Sequence, residues 1–274
     1  MTITDIYVWR HGETNANTGH LTAGGSPELY PNFPYCAAMT ALNEQGKKQA
    51  DNLGSLLVKY ALDVIYTSDM GRARDTAVAV VNAYRLQGRV VDLNQSMQLR
   101  EIIHGKYDLI SVKDRNEKGK IQLIELLKNA SAPTDDKFLV WKLHALVPQH
   151  EIVNGPCMKN GIVDVKTYIE RKETQPETPW LLFNRISQEI TQIAQANLGK
   201  KVGISSHGAA LETLLLGLDK TLKGTYLPPY YNQEPIYHDD KMIPASIKVK
   251  NCDLLHLRYN SDTGELAFIE KITV

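Results

Sequence analysis

ITDIYVWRHGET, residues 3–14, is the stretch of this 274-residue chain that indicates its fold. Its apolar, β-prone run IYVW predicts a short buried strand. The pattern stops at Arg10, His11 and Gly12, where the glycine permits a tight turn. In α/β proteins the carboxyl ends of the parallel strands border the crevice that binds ligands. We therefore expect Arg10 and His11 to point into such a crevice.

Downstream of this strand the chain alternates between helix and strand patterns. Asn43 is the predicted N-cap of the first helix, and the run Thr67-Ser68-Asp69 is the predicted cap of the second. The alternation favours an α/β fold with a mostly parallel central sheet, helices on both faces and a hairpin-like edge. The predicted helices cover residues 43–60, 70–84 and 180–197, with a further helix after Gly208 that runs through Leu218. The predicted strands cover 62–66, 89–93, 201–205, 245–259 and 266–272.

Residues 105–179 interrupt this alternation. They show no parallel-strand pattern, and helical patterns at 121–127 and 138–146 predict a mainly helical cap inserted into a single domain spanning residues 1–274. Two long loops, at 15–41 and 220–244, are rich in proline together with glycine or tyrosine. Loops of this length often take part in binding, so we expect the cap and these loops to select the substrate.

The composition argues against several classes of protein. Lys plus Arg and Asp plus Glu number 31 each, so no overall charge favours nucleic acid or an anionic membrane as a partner. The three cysteines are scattered without CxxC spacing, which argues against a structural zinc site or a disulfide framework. No signal region opens the chain and no apolar run approaches membrane-spanning length. We expect a cytoplasmic protein.

Polar side chains follow four of the predicted strands: Arg10 and His11, Arg72, Glu101 and His207. Parallel strands place their carboxyl ends at one edge of the sheet, so these groups can converge. Arginines bind phosphate oxygens and keep a nearby imidazole neutral and nucleophilic. A carboxyl group beside a phosphate dianion keeps its proton for a leaving oxygen, and a second imidazole stabilises the transferring phosphoryl group. The set predicts phosphoryl transfer through a histidine.

Five segments, in the same order, resemble the histidine phosphatase superfamily, in the branch that includes cofactor-dependent phosphoglycerate mutases and fructose-2,6-bisphosphatase. The segments are RHGET with Asn17, LNEQGKKQADNLG, SDMGRARDTA, LREIIHGKYD and ISSHGAAL. The resemblance implies a phosphoglycerate mutase-like α/β fold and phosphohistidine chemistry that needs no metal and no cofactor.

Matching positions carry the family's roles onto this chain. The resemblance makes His11 the nucleophile that becomes phosphorylated and Glu101 the general acid. Arg10, Arg72 and His207 would form the phosphate pocket.

The same resemblance adds three residues to the predicted phosphate site. Asn17 would make a further phosphate contact, Thr14 would support it, and Gly208 lies in the second-histidine segment. Asp69 stands where these proteins often have proline, and Ala209 where a second glycine is common. The basic, proline-rich segment that mutases use to hold a carboxylated sugar phosphate has no clear counterpart; residues 171–174 match it poorly. This departure favours hydrolysis over mutase activity.

We therefore predict a metal-independent phosphatase that hydrolyses a small-molecule phosphomonoester through phospho-His11. One alternative is a phosphoglycerate-mutase-type phosphoryl transferase, which would need a bisphosphate primer. Another is a catalytically silent module that binds phosphorylated ligands without turnover. The physiological substrate and the oligomeric state stay open, although an edge strand in the C-terminal hairpin could pair two subunits in a homodimer.

Overall fold

A computed structural model describes residues 2–15, 17, 41–101, 158–159, 162–163, 179–218 and 249–274. In chain order, the elements are β1 (Ile3–Arg10), α1 (Glu44–Leu57), β2 (Val64–Ser68), α2 (Gly71–Leu86), β3 (Asp92–Ser96), β4 (Met158–Lys159), β5 (Ile162–Val163), α3 (Pro179–Ala196), β6 (Lys201–Ser206), α4 (Gly208–Leu218), β7 (Leu254–Asn260) and β8 (Glu265–Ile272). Short 3-10 helices follow α1 at Val58–Tyr60 and β3 at Met97–Leu99.

Six of the strands form one sheet in the order β3-β2-β6-β1-β7-β8. Strands β3, β2, β6 and β1 run parallel, whereas β7 and β8 form an antiparallel hairpin beside β1. This confirms the predicted mostly parallel sheet with its hairpin edge. Strand β1 pairs with a neighbour on each side, so its carboxyl end lies in the middle of the sheet edge.

Both faces of the sheet are covered by helices, as predicted. The apolar run of β1 alternates between them, because successive side chains of a strand point to opposite faces. Ile6 and Val8 belong to the core formed with α3 and α4, and Tyr7 and Trp9 to the core formed with α1 and α2. The helix residues of the first core include Leu182, Ile186, Ile190, Leu211 and Leu214, and those of the second include Leu53, Leu57, Ala77, Val80 and Tyr84.

The two predicted helix caps have different outcomes. The Asn43 side chain accepts a hydrogen bond from the Gly46 amide at 2.8 Å, which confirms it as the N-cap of α1. Helix α2 begins after Met70, which provides no side-chain cap. The predicted cap at Thr67-Ser68-Asp69 is wrong: Ser68 ends β2, and its Oγ accepts from the amide of Met70 at 3.3 Å rather than from an amide of the helix.

Three predicted strands begin too early, and one of them, predicted at 62–66, starts two residues before β2. At 89–93, the Arg89 amide still donates to the Tyr84 carbonyl at 3.0 Å, so this residue closes the end of α2 and β3 starts at Asp92. Within 245–259, residues 249–253 form a turn in which Cys252 has φ 63°, and β7 starts at Leu254. The left-handed conformation of Cys252 is incompatible with an extended strand, so the strand begins only after this turn.

Most of the predicted cap and of both long loops lies outside the described residues, including the predicted helices at 121–127 and 138–146. Between 105 and 179 the structure describes the short antiparallel pair of β4 and β5 and the first residue of α3. The single domain with an inserted cap stays a prediction. Within the described ranges, no helix has the length and apolarity needed to cross a membrane.

Candidate active site

The register between β1 and β6 brings the two predicted site histidines together. Arg10 lies opposite Ser206 in this parallel pair, so His11 and His207 are the residues that follow on neighbouring strands. The His11 amide donates to the Ser206 carbonyl at 3.1 Å. The two imidazole rings are buried, with centroids 5.2 Å apart and planes inclined by 60°.

Hydrogen bonds determine the tautomer of His11. Its Nδ1 lies 2.7 Å from the Gly12 carbonyl oxygen, which can only accept, so we assign the ring proton to Nδ1. The lone pair is then on Nε2, which accepts a hydrogen bond from Arg72 Nε at 3.0 Å. This is the protonation pattern that a nucleophilic imidazole requires.

Both imidazoles are held in the neutral form. Burial removes water from the His11 ring, and the charges of Arg72 and Arg10 act in the same direction, so its pKa lies well below the ordinary value. Burial and the Arg72 charge likewise place the pKa of His207 well below its ordinary value. The sequence predicts this neutrality from the arginine charges alone, but burial is the larger cause.

The lowered pKa values predict that the protein loses stability in mild acid. Below about pH 6.5 these histidines bind protons in the unfolded chain but not in the folded one, so the free energy of unfolding falls as the pH is lowered. The slope is at most about 1.4 kcal/mol per pH unit for each histidine. Urea unfolding between pH 7.5 and 5.5 measures it. His207→Asn should give a shallower slope, and an unchanged slope would contradict the assignment.

Arg10 is held beside the start of α4. Its Nη1 donates to the Val249 carbonyl at 2.7 Å. A Cβ placed on Gly208 would lie 3.1 Å from Arg10 Nε, so the guanidinium group packs directly against this glycine and a larger residue would displace it. Arg10 Nε is buried and has no hydrogen-bond partner among the described residues. The glycine therefore makes room for the arginine.

The turn after β1 is fixed by both helices of one face. The Gly12 amide donates to Thr76 Oγ1 at 3.0 Å, and this hydroxyl donates to the Arg72 carbonyl at 2.8 Å. A Cβ on Gly12 would lie 2.4 Å from the Gly46 carbonyl oxygen in the first turn of α1, so only glycine fits there. Sequence analysis missed Thr76, although it follows Arg72 by four residues and so lies on the same helix face.

Asn17 and Thr14 bond to each other next to His11. Asn17 Oδ1 accepts hydrogen bonds from the Thr14 amide at 3.0 Å and from Thr14 Oγ1 at 3.2 Å. A residue that sequence analysis missed joins them: Asn251 Nδ2 donates to Asn17 Oδ1 at 3.2 Å and to the His11 carbonyl at 2.9 Å. The predicted strand at 245–259 concealed it, because a residue inside a strand is not expected to turn towards the site.

Glu101 lies beside the first turn of α4, the helix that begins directly after His207 in the chain. Its two carboxylate oxygens accept hydrogen bonds from the amides of Ala209 at 3.3 Å and Ala210 at 3.1 Å. Amides at a helix N-terminus have no partner within the helix, so a side-chain oxygen can satisfy them. The structure thus links the predicted general acid to the segment that carries the second histidine.

Arg185, another residue that sequence analysis missed, holds the backbone that carries Glu101. This α3 side chain is only 2% exposed. Its Nη1 donates to the carbonyls of Gln98 at 2.6 Å and Arg100 at 3.0 Å, and its Nη2 donates to the carbonyl of Glu101 at 3.2 Å. The sequence offers only a basic residue within an apolar helix pattern as a signal, since the carbonyls it binds lie more than 80 residues away.

The segment at the end of β2 also contributes to the site. Ser68 Oγ lies 2.8 Å from His207 Nε2. Asp69 forms a two-pronged ion pair with Arg100, in which Arg100 Nε donates to Asp69 Oδ1 at 2.6 Å and Nη2 donates to Oδ2. The pair links the end of β2 to the segment before Glu101.

The described residues contain no group of three or more His, Cys, Asp or Glu side chains that could hold a metal ion. Cys252, the described cysteine, is buried, and burial raises the pKa of its thiol to about 12. It is therefore a poor nucleophile and a poor metal ligand.

Comparison with known proteins relates the part of the chain that carries this site to a protein family. The family model of the histidine phosphatase superfamily (branch 1) matches residues 6–134, a range that contains His11, Arg72 and Glu101. Over these residues the chain matches the histidine phosphatase superfamily. This confirms the resemblance that the five sequence segments indicated.

Individual members of the superfamily include both phosphatases and mutases. The chain is 33% identical over 104 residues to the adenosylcobalamin/alpha-ribazole phosphatase of Salmonella typhimurium, covering 38% of this chain and 43% of the relative. The chain thus spans less than half the length of the curated phosphatases it matches. The 2,3-bisphosphoglycerate-dependent phosphoglycerate mutase of Borreliella afzelii is 25% identical over 217 residues, covering 77% of this chain and 75% of the relative.

Solved structures of superfamily members share the fold. The phosphoglycerate mutase of Bacillus anthracis superposes with a TM-score of 0.58 at 24% identity, covering 98% of this chain and 92% of that protein. At this identity the likeness supports the phosphoglycerate mutase-like fold.

Proposed function

We propose that this protein is a phosphatase that hydrolyses small-molecule phosphomonoesters through a phosphohistidine intermediate on His11. The orientation of His11 carries this proposal: the bond from Nδ1 to the Gly12 carbonyl leaves the lone pair on Nε2, where Arg72 approaches it. In the first step Nε2 bonds to phosphorus, the ester P–O bond breaks, and the leaving oxygen takes a proton from Glu101. Water then attacks the phosphohistidine, returns a proton to Glu101 and releases inorganic phosphate.

Buried donors around His11 support a phosphate site. Arg10 Nε and His207 Nδ1 are buried without a hydrogen-bond partner among the described residues, and Nδ1 is a donor in the tautomer in which Ser68 Oγ donates to His207 Nε2. Such donors are costly unless an acceptor meets them, and phosphoryl oxygens accept hydrogen bonds. When the ester binds, Arg72 Nε would stop donating to the His11 lone pair and donate to a phosphate oxygen instead. The change of acceptor frees His11 Nε2 for attack.

The remaining predicted site residues would act at the edge of this phosphate site. Asn17 would donate to the phosphoryl group. Thr14 would act through its hydrogen bonds to Asn17, and Gly208 through its contact with Arg10.

A phosphoglycerate-mutase-type transferase is the second candidate. The match to the Borreliella mutase, which extends over 77% of this chain, favours it. The missing basic, proline-rich segment favours hydrolysis, so we place the phosphatase first.

Phosphate release from a panel of esters tests the proposal. The panel would contain p-nitrophenyl phosphate, alpha-ribazole phosphate, 3-phosphoglycerate and a nucleoside monophosphate, each with and without a metal chelator. We expect release that the chelator does not abolish, together with an acid-labile phosphoryl group on His11 in quenched samples.

Three other results would overturn the phosphatase proposal. Interconversion of phosphoglycerates that depends on added 2,3-bisphosphoglycerate, without net release, would favour the transferase. Binding of phosphate without turnover would favour a silent binding module. Turnover that needs an added metal would contradict the mechanism.

A further inference from the structure

Asn251 bonds to two residues of the candidate site, His11 and Asn17, each of which lies more than 230 residues before it in the sequence. Its Nδ2 donates to the His11 carbonyl at 2.9 Å and to Asn17 Oδ1 at 3.2 Å. We propose that Asn251 is a positioning residue that orients the Asn17 carboxamide so that its NH2 group donates to the bound phosphoryl group. This inference rests on the phosphate site of the proposed function.

The chemistry of the Asn17 side chain supports this orientation. Its Oδ1 accepts three hydrogen bonds, from the Thr14 amide, Thr14 Oγ1 and Asn251 Nδ2. Thr14 Oγ1 in turn accepts from the Asn17 amide, so its own proton is free for Oδ1. A flipped carboxamide would point its two N–H groups at three donors. The oxygen is thus committed to these donors, and the NH2 group is the part that can bind a phosphate oxygen.

The turn that carries Asn251 is anchored to the end of β1. The Cys252 amide donates to the Arg10 carbonyl at 3.0 Å, and the Arg10 amide donates to the Asp253 carbonyl at 3.2 Å. Arg10 Nη1 bonds to Val249 on the same turn. Cys252 adopts φ 63°, a conformation that residues other than glycine rarely adopt. Asn251 is therefore held in place by the same backbone that presents Arg10 and His11.

A double-mutant cycle tests whether Asn251 acts through Asn17. Binding of inorganic phosphate is measured by calorimetry for the wild type, Asn251→Ala, Asn17→Ala and the double variant, with thermal melting as a check on folding. We expect each single variant to weaken binding about tenfold or more, because each loses a hydrogen bond to a charged ligand or the group that orients it. The double variant should bind no more weakly than Asn17→Ala, since the two residues act as one unit.

Two further variants sharpen the experiment. Asn251→Asp keeps the shape of the side chain but replaces its N–H donors by oxygen, so it should weaken phosphate binding at least as much as Asn251→Ala; it also decides the matter if the alanine variant does not fold. Asn260→Ala is the matched control. Asn260 lies at the other end of β7, where its Oδ1 accepts from the Asp262 amide, and it should leave phosphate affinity unchanged.

Each outcome separates this inference from the proposed function. Unchanged affinity in Asn251→Ala and Asn251→Asp, or additive losses in the cycle, would overturn the role of Asn251 while leaving the phosphatase intact. Coupled losses of phosphate affinity in a protein that hydrolyses no ester would support Asn251 and overturn the phosphatase. A wild type that binds no phosphate would overturn both.

Discussion

His11→Ala is expected to lower kcat for phosphate release by on the order of ten-thousand-fold or more, the scale of loss when a nucleophile is removed. The variant lacks the Nε2 lone pair that would bond to phosphorus, and no phosphoryl group should be trapped on the chain after quenching. Measuring kcat with p-nitrophenyl phosphate, and labelling with a radioactive ester, would check both expectations.

His256→Ala is the matched control for this loss. His256 is also buried, and its Nε2 lies 2.8 Å from Asp5 Oδ1, but it pairs with Tyr7 in the middle of β1 rather than at its carboxyl end. It should therefore retain kcat within about twofold when assayed where it is folded, because it touches no reacting group. A His11→Ala variant with near-normal turnover would show that another residue is the nucleophile.

Arg185→Met is expected to cause the largest loss of stability, about 3–5 kcal/mol in the free energy of unfolding. Three carbonyls, those of Gln98, Arg100 and Glu101, would lose a buried donor, and an unsatisfied buried acceptor costs about 1–3 kcal/mol. These costs do not add fully, since the three carbonyls belong to one short segment. Urea unfolding measures the loss. The variant should also lower kcat at a temperature where it is folded, because the backbone of Glu101 is no longer held.

An exposed arginine provides the comparison for Arg185. Arg74→Met removes a guanidinium group that pairs with Asp75 on the surface of α2, with both side chains more than 40% exposed. Exposed pairs of this kind contribute less than about 1 kcal/mol. A loss as small as this in Arg185→Met would show that the three carbonyls find other partners, and that Arg185 does not hold Glu101 in place.

Several elements could be predicted because their signals are local. The IYVW run indicates a strand buried on both faces, and in the structure its residues alternate between the two cores. Asn43 caps α1 through a hydrogen bond to a residue three positions away. The apolar stripe at 183, 186, 190, 193 and 194 predicts the buried face of α3, and all of these residues except the partly buried Phe183 are buried. In each of these cases the interacting residues are neighbours in sequence, so periodicity and capping chemistry are sufficient.

Other features depend on residues that meet only in the folded chain. Ser68 was interpreted as part of a helix cap, but its hydroxyl bonds to His207, 139 residues away. Asn251 was placed inside a strand, yet it lies in a turn and bonds to Asn17, 234 residues away. Strand order and register decide which distant residues come within hydrogen-bonding distance. A local sequence pattern therefore cannot predict the partner of such a side chain.

By itself, the sequence determined the fold class, the helices with clear periodicity and, through five short segments, the superfamily and the residues proposed for its chemistry. Only the tertiary structure decided the geometry and protonation of these residues. The register that pairs Arg10 with Ser206 places His11 beside His207, and burial keeps both imidazoles neutral. The contacts of Arg185 and Asn251 likewise exist only in the folded chain. The division has a physical reason. Periodicity and motif spacing are properties of adjacent residues, whereas burial and hydrogen-bond partners are set by which strands and helices pack together.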